Sequence, residues 1–278
     1  MDQRKTLFML GAEDPEMDRI VEVLESEGQD FEFATKNGKR VAPSNAYAAD
    51  PPGLSDDHDL IVYVECRPEH EPLGIEKKVI DHHREGDPGY NMEAKRYWEA
   101  SSLGQLHNFL KLTPTKRDFV LAAMDHCFAA ALRGECPNVT KDEVLELKIN
   151  EISRGSDFTP EQIRQKVLQF REELKSSPMI GVGGTLVRDM RHVYLGEGYT
   201  VDYLSAQAAV ALSGDAALLH GSDPASGFRK ITIYGNVNPK TIEAFMKEWA
   251  PAQGLSNIYG VPDRCYGGGY LHAEAAPE

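Results

Sequence analysis

Three short apolar segments near the start of the chain each run directly into ionisable side chains, and this pattern constrains the fold most. The segments are residues 6–10 (TLFML), 60–64 (LIVYV) and 78–80 (KVI). Each segment has the pattern of a buried strand. Apolar residues at helical spacing follow the first segment, between positions 17 and 24. Strands that alternate with helices predict an α/β fold with a doubly wound, mostly parallel sheet.

The residues that follow these strands are rich in acids and histidines. They are Asp14, Glu16 and Asp18 after the first strand, Glu65 after the second, and Asp81, His82 and His83 after the third. Parallel strands lie about 4.8 Å apart, so carboxylates at their ends would repel one another unless a cation lay between them. Oxygen and imidazole ligands favour a divalent ion, Mn²⁺ first, with Mg²⁺ or Fe²⁺ as alternatives.

Asp125 gives a separate reason to expect a cation or an imidazole. It lies on a predicted helix over residues 115–133, where its neighbours at helical spacing are Leu121, Ala122, Phe128 and Ala129. A carboxylate buried on such an apolar face without a partner would cost several kcal/mol. Simpler interpretations stay open for other single residues. Asp14 before Pro15 is a natural helix N-cap, and Glu65 can be a strand-end acid that faces solvent.

The rest of the chain predicts a helical connector and a second α/β unit. Residues 140–177 are helical and charged, with a capping-box pattern at Thr140 and a second helix start at Thr159. A glycine-rich stretch after Pro178 opens the second unit, with predicted helices at 202–212 and 239–249 and a strand at 228–235. We therefore expect a catalytic domain at 1–140, a connector at 141–177 and a smaller C-terminal α/β domain at 178–278, with a cleft between the domains.

Composition limits the partners. The 278 residues include 44 acids and 30 bases, for a net charge of −14, which does not attract long nucleic acid. The four cysteines form no C-x-x-C pair, which favours reduced thiols. No apolar run approaches the roughly 20 residues of a membrane span. These features predict a cytoplasmic protein with a small substrate and no membrane partner, and they leave a homodimer open.

The segment Asp81-His82-His83 after an apolar strand resembles the hallmark of the DHH phosphoesterase superfamily. That superfamily includes RecJ-type exonucleases, nanoRNases, cyclic-dinucleotide phosphodiesterases and family II pyrophosphatases. Residues 12–18 (AEDPEMD), Glu65 and Asp125 occupy the places of its other N-terminal motifs. Residues 267–270 (GGGY) resemble the glycine-rich signature of its C-terminal domain.

The resemblance implies roles for individual residues. It places metal ligands at Glu16, Asp18, Glu65, His82 and Asp125, with Asp14 as a further candidate, and it has Asp81 orient a ligand from behind. His83 would face the scissile phosphate as a hydrogen-bond donor or acid. Arg264 and the backbone of Gly267, Gly268 and Gly269 would hold a substrate phosphate. The expected function is a metal-dependent phosphoesterase for a small nucleotide or short oligonucleotide.

Four positions depart from the superfamily pattern. Ala12 stands in place of a metal-binding histidine, Glu16 and Glu65 replace aspartates, and Tyr270 replaces the terminal histidine. Asp14, His126 or His272 are candidates to compensate. Because glutamate is longer than aspartate, the number and geometry of metals stay open. A nucleotide sensor that does not hydrolyse its ligand and a pyrophosphatase-type activity remain as alternatives.

Overall fold

A computed structural model describes residues 5–54, 58–197, 200–222, 228–262 and 265–271. The chain divides into two compact units, residues 1–128 with 136–139 and residues 129–135 with 140–278. The helices predicted as a connector thus belong to the second unit. None of the described helices is both long enough and apolar enough to cross a bilayer.

The first unit contains a four-stranded parallel sheet, as the sequence predicts. Its strands and helices are β1 (Thr6–Leu10), α1 (Pro15–Ser26), β2 (Asp30–Phe33), β3 (Thr35–Lys36), β4 (Lys39–Arg40), β5 (Leu60–Val64), β6 (Glu76–Ile80), α2 (Tyr97–Ala100), α3 (Ser102–Leu110) and α4 (Lys116–Leu132), whose last residues lie in the second unit. The sheet order is β2-β1-β5-β6, and β3 and β4 form a separate hairpin.

The register of the sheet decides where the charged residues emerge. Leu10 at the end of β1 pairs with Val64 at the end of β5, and Val64 pairs with Ile80 at the end of β6. The three strands therefore end side by side. All five residues of β5 are buried, which agrees with the continuous apolar pattern typical of a central parallel strand.

Helix α1 begins as its sequence predicts. The Asp14 side chain accepts a hydrogen bond from the Met17 backbone N–H at 2.7 Å, which confirms the N-cap interpretation. Met17, Ile20 and Leu24 pack into the core from one face of the helix. Glu16 lies on that buried face too, because it is four residues before Ile20 and one turn of the helix brings the two together.

The second unit contains a six-stranded mixed sheet with helices. Its elements are α5 (Lys141–Arg154), α6 (Pro160–Ser176), β7 (Met179–Val182), β8 (Thr185–Glu197), α7 (Val201–Ser213), β9 (Ala216–Ser222), β10 (Arg229–Gly235), α8 (Pro239–Ala244), α9 (Ala250–Ala252), β11 (Ser256–Val261) and β12 (Tyr266–Leu271), with a π-helical stretch, Phe245–Trp249, between α8 and α9. The order is β11-β12-β10-β9-β8-β7, in which only β8 and β9 pair in parallel among the described strands.

Local signals in the second unit are confirmed where the sequence contained them. Thr140 with Glu143 forms the predicted capping box, and the helix predicted to start at Thr159 begins with a second capping box, between Thr159 and Gln162. The sequence left residues 188–192 open, as a basic strand edge or a phosphate contact, and it did not identify β9. Pairing with neighbours on both sides makes β8 a sheet strand.

Candidate functional site

Four side chains from four separate elements converge where β1, β5 and β6 end. Ligand atoms of Glu16, Glu65, His82 and Asp125 all lie within 4.8 Å of one another. Glu16 comes from the first turn of α1, Glu65 and His82 follow β5 and β6, and Asp125 lies on α4. The sequence predicted each of the four as a metal ligand.

His82 lies at the centre of this group, which we call the acid–histidine cluster. Its Nε2 is 3.0 Å from Asp125 Oδ2, 3.5 Å from Glu65 Oε1 and 3.8 Å from Glu16 Oε2. Glu16, Glu65 and His82 are buried, and the Asp125 side chain is 23% exposed. One imidazole nitrogen therefore faces three carboxylates at the edge of the sheet.

Close backbone packing places Glu65. A Cβ at Gly11 would lie 2.5 Å from the Glu65 carbonyl oxygen, so only glycine fits where β1 passes the end of β5. Glu65 itself has a φ of 52°, in the left-handed region that most residues avoid. Such a conformation costs on the order of 1–3 kcal/mol and is concentrated at functional sites.

A second glycine lets the turn after Asp81-His82-His83 fold back against His82. A Cβ at Gly89 would lie 1.9 Å from the Ala100 carbonyl oxygen and 2.7 Å from His82 Cβ. The Gly89 N–H also donates a hydrogen bond to the Asp81 carbonyl oxygen at 2.9 Å. Asp87 and Gly89 are buried within this turn, whereas residues 84–86 and 88 are exposed.

Three carboxylate oxygens of the cluster have His82 as their nearest cationic partner. Glu16 Oε2, Glu65 Oε1 and Asp125 Oδ2 are buried and accept no hydrogen bond, and each faces His82 Nε2. Burial, and then the charges of Asp125 and Glu65, raise the pKa of Glu16 well above its ordinary value. Burial and the same kind of repulsion, from Glu65 and Asp125, raise the pKa of Asp14 to about 8. The cluster thus gathers several carboxylates around a single histidine.

The pKa values of His82 and Asp125 shift so that the charged form of each is favoured, because the two side chains face each other. Burial opposes the charged imidazole, but Asp125 and Glu65 outweigh it and raise the pKa of His82 to about 10. Burial likewise opposes the Asp125 carboxylate, yet the adjacent His82 lowers the pKa of Asp125 to about 2. A positive charge at the centre of the cluster is what these carboxylates favour.

These residues fit a divalent cation. Three carboxylate oxygens that accept no hydrogen bond and one imidazole nitrogen form a set of possible metal ligands. These four atoms lie close enough together to coordinate one ion. Mixed oxygen and nitrogen ligands of this type suit Mn²⁺, Mg²⁺, Fe²⁺ or Zn²⁺. Asp18, also predicted as a ligand, is exposed on α1 and does not belong to the group that gathers.

The Asp81 side chain contacts the imidazole ring of His83, whereas its contact with His82 is to the backbone N–H. Asp81 Oδ1 accepts hydrogen bonds from the backbone N–H groups of His82 at 2.7 Å and His83 at 3.0 Å, and from His83 Nδ1 at 3.0 Å. The His83 side chain is 41% exposed, so a ligand can reach it. Burial opposes protonation of His83, but Asp81 and then Glu65 outweigh it and raise its pKa.

Two further residues hold Asp81 and were missed in the sequence analysis. The Tyr47 hydroxyl donates to Asp81 Oδ2 at 2.9 Å, and Gln105 Nε2 donates to the Asp81 carbonyl oxygen at 3.0 Å. Burial and the Asp81 charge raise the pKa of Tyr47, which keeps its hydroxyl protonated. Tyr47 lies in a short 3₁₀ helix, Ala46–Ala48, and the sequence around it has no pattern that could have identified it.

The glycines of the predicted phosphate cradle lie inside a strand. Gly267, Gly268 and Gly269 belong to β12, which pairs with β10 on one side and β11 on the other. A Cβ at Gly268 would lie 2.4 Å from the Tyr259 hydroxyl, so close packing of this ring accounts for the absence of a side chain. A phosphate-binding role for these glycines stays a prediction. Arg264 and His272 lie outside the described residues.

Comparisons with known proteins give no family model and no curated protein that matches the chain. Among solved structures, the chain is similar to a pGpG-specific phosphodiesterase, PggH from Vibrio cholerae, at 12% identity and a TM-score of 0.37, over 96% of this chain and 93% of that one. It is also similar to a Methanococcus jannaschii protein assigned as a family II inorganic pyrophosphatase, at 13% identity and a TM-score of 0.21, over 97% and 86%.

At these identities and TM-scores the two matches assign neither a family, a reaction nor a substrate to this chain. The side chains of the acid–histidine cluster carry the functional argument.

Proposed function

We propose that this protein is a metal-dependent phosphoesterase that hydrolyses a phosphate ester of a small nucleotide or short oligonucleotide. The acid–histidine cluster is the observation that carries the proposal, because three of its buried carboxylate oxygens accept no hydrogen bond and face one shared imidazole nitrogen. Glu16, Glu65, His82 and Asp125 would hold a divalent ion. When bound, such an ion clamps phosphoryl oxygens and lowers the pKa of a water molecule.

The chain's own residues then position and protonate the substrate. Asp81 fixes the Nδ1 side of the His83 ring, so the opposite ring nitrogen can face a substrate oxygen. With its pKa raised by Asp81 and Glu65, His83 is suited to donate a proton to the leaving oxygen. Asp14 is the further candidate for a ligand, because burial and the carboxylates of Glu65 and Asp125 raise its pKa.

The proposed substrate class follows from charge. A protein with a net charge of −14 lacks the attraction that long nucleic acids need. A dinucleotide or nucleoside bisphosphate carries few charges, and a local metal site can neutralise them. We therefore place small phosphate esters ahead of long strands.

The test combines metal analysis with a set of substrates. Purified protein should contain Mn, Fe or a similar ion, and hydrolysis of a generic phosphodiester should stop with chelator and return with Mn²⁺. The set includes pGpG, a nucleoside bisphosphate, pyrophosphate and long single-stranded DNA. Glu16→Gln should abolish turnover, whereas Glu25→Gln, the same substitution at an exposed position of α1, should not.

The outcomes separate the alternatives. Turnover of pyrophosphate alone would make the protein a pyrophosphatase. Tight binding of a small nucleotide without turnover under any divalent ion would favour the sensor. Efficient degradation of long strands at physiological salt would contradict the proposed substrate class.

A further inference from the structure

We infer that His126 is a positioning residue that fixes the orientation and tautomer of His82 for metal binding. The inference rests on the proposed function, since it concerns the ion that the acid–histidine cluster would hold. From the sequence alone, His126 is a candidate only to replace a missing ligand. The structure instead places it behind His82, on the side of the ring away from the three carboxylates.

The contacts form a short chain of hydrogen bonds. His126 Nε2 lies 3.0 Å from the Met92 backbone carbonyl oxygen, and His126 Nδ1 lies 3.2 Å from His82 Nδ1. The opposite nitrogen of His82, Nε2, faces Asp125, Glu65 and Glu16. Both histidines are buried, so the arrangement is shielded from competing water.

The direction of these bonds follows from what each group can do. A backbone carbonyl oxygen only accepts, so His126 Nε2 carries a proton and donates to Met92. In a neutral imidazole the other nitrogen is then an acceptor. His126 Nδ1 therefore accepts from His82 Nδ1, which must be the donor. That leaves Nε2 as the nitrogen through which His82 can coordinate a cation.

The same contacts hold the ring in place. A histidine ligand generally donates its second N–H to a carbonyl or carboxylate, which sets both its orientation and its basicity. Here a second histidine takes that place, and its own orientation is set by a backbone atom that no side-chain substitution removes. Met92 lies just beyond the turn that follows His83, so the loop after the Asp81-His82-His83 segment helps define the ligand.

A purely structural role for His126 makes different predictions. If His126 only fills space and satisfies the Met92 carbonyl, removing its nitrogens should lower stability without changing metal affinity. The two roles therefore separate when affinity and stability are measured on the same variants.

Metal affinity is the first measurement. Isothermal titration of chelator-treated full-length protein with Mn²⁺ should show that His126→Phe, which keeps the ring but removes both nitrogens, weakens binding about 10–100-fold, the range typical for loss of such a partner. His126→Asn, whose Oδ1 can accept from His82, should recover most of that loss. His107→Phe is the matched control, because His107 is also buried in the first unit but faces Asp118.

The second measurement is made on the metal-free wild-type protein, so it depends neither on metal binding nor on the folding of a variant. Long-range ¹H–¹⁵N spectra of the metal-free wild-type protein, labelled at histidine, report which ring nitrogen is protonated. We expect a neutral His126 with its proton on Nε2 and a protonated Nδ1 on His82. A proton on His126 Nδ1 would overturn the inference.

The two measurements keep the inference separate from the proposed function. Wild-type protein that binds no divalent ion would remove the proposed function, and the spectra would still decide the hydrogen-bond direction. Wild-type protein that binds Mn²⁺ while folded His126→Phe binds it equally well would overturn the role of His126 and leave the proposed function standing.

Discussion

Two buried carboxylates of the first unit, Asp118 and Glu16, have opposite surroundings. The Asp118 side chain is fully buried and accepts hydrogen bonds from Arg19 Nε at 2.6 Å, the Thr115 N–H at 2.7 Å and the Thr115 hydroxyl at 2.8 Å. Glu16 is as deeply buried but accepts one hydrogen bond, from the Leu103 N–H at 3.1 Å.

The pKa values of the two groups move apart for this reason. Burial opposes ionisation of Asp118, but Arg19 and Thr115 outweigh it and lower the pKa. Burial and the neighbouring carboxylates raise the pKa of Glu16. The chain itself satisfies Asp118, whereas Glu16 shares one histidine, His82, with two other carboxylates. A buried carboxylate is thus informative about function only when its partners are known.

The largest effect should follow from removing a carboxylate of the acid–histidine cluster. Asp125→Asn should reduce hydrolysis by ~10³-fold or more, because loss of an ion that contributes several kcal/mol to the transition state has that consequence. The metal content of the variant should fall with its activity. Elemental analysis and turnover normalised to folded protein measure both, and full occupancy with full turnover would refute the assignment.

Asp118→Asn should act on stability instead. Removing one partner of a buried ion pair leaves the other without compensation and costs about 3–5 kcal/mol in the free energy of unfolding. Turnover per folded molecule should stay at the wild-type level. Denaturant titration measures the loss, and Glu22→Gln, which removes an exposed partner of Arg19, should cost less than about 1 kcal/mol. Equal losses in the two variants would remove the distinction.

A divalent ion should stabilise the wild-type protein but not the Asp125→Asn variant of the acid–histidine cluster. An ion that binds only the folded state adds about 2.7 kcal/mol at a concentration 100 times its dissociation constant. Mn²⁺ should therefore raise the melting temperature of wild type and of Asp118→Asn alike, and leave Asp125→Asn unchanged. A similar shift in Asp125→Asn would mean that the ion binds elsewhere.

The smallest expected effect is a pH dependence at Asp118. Its folded pKa is lowered, so its contribution to stability is present above the unfolded value near 3.8 and is lost as pH falls through the folded pKa. The difference in unfolding free energy between wild type and Asp118→Asn should therefore be constant from pH 7 to 5 and shrink below about pH 4. Denaturant titrations across this range test the sign, and a difference that grew in acid would contradict it.

Local patterns in the sequence were sufficient for much of the first unit. The apolar runs at 6–10 and 60–64 became β1 and β5 with unchanged bounds, and the strand that ends at Ile80 became β6. Asp14 was recognised as an N-cap, and the capping box at Thr140 and the helix start at Thr159 were confirmed. These features depend on neighbours within a few residues, so their physical causes lie within the local sequence. The order of strands and helices likewise predicted the parallel sheet.

Contacts between residues far apart in the sequence decided the rest. Only packing shows that Glu16 faces the cluster while Asp18 is exposed, and that Asp81 holds His83 while His126, 44 residues beyond, contacts His82. Gly267 to Gly269 form a strand because neighbouring strands and the Tyr259 ring pack against them, although glycine itself disfavours strands. Residue type and spacing determined which groups could meet at the sheet edge. The tertiary structure determined which of them do, because hydrogen-bond direction and burial depend on atoms that the local sequence does not contain.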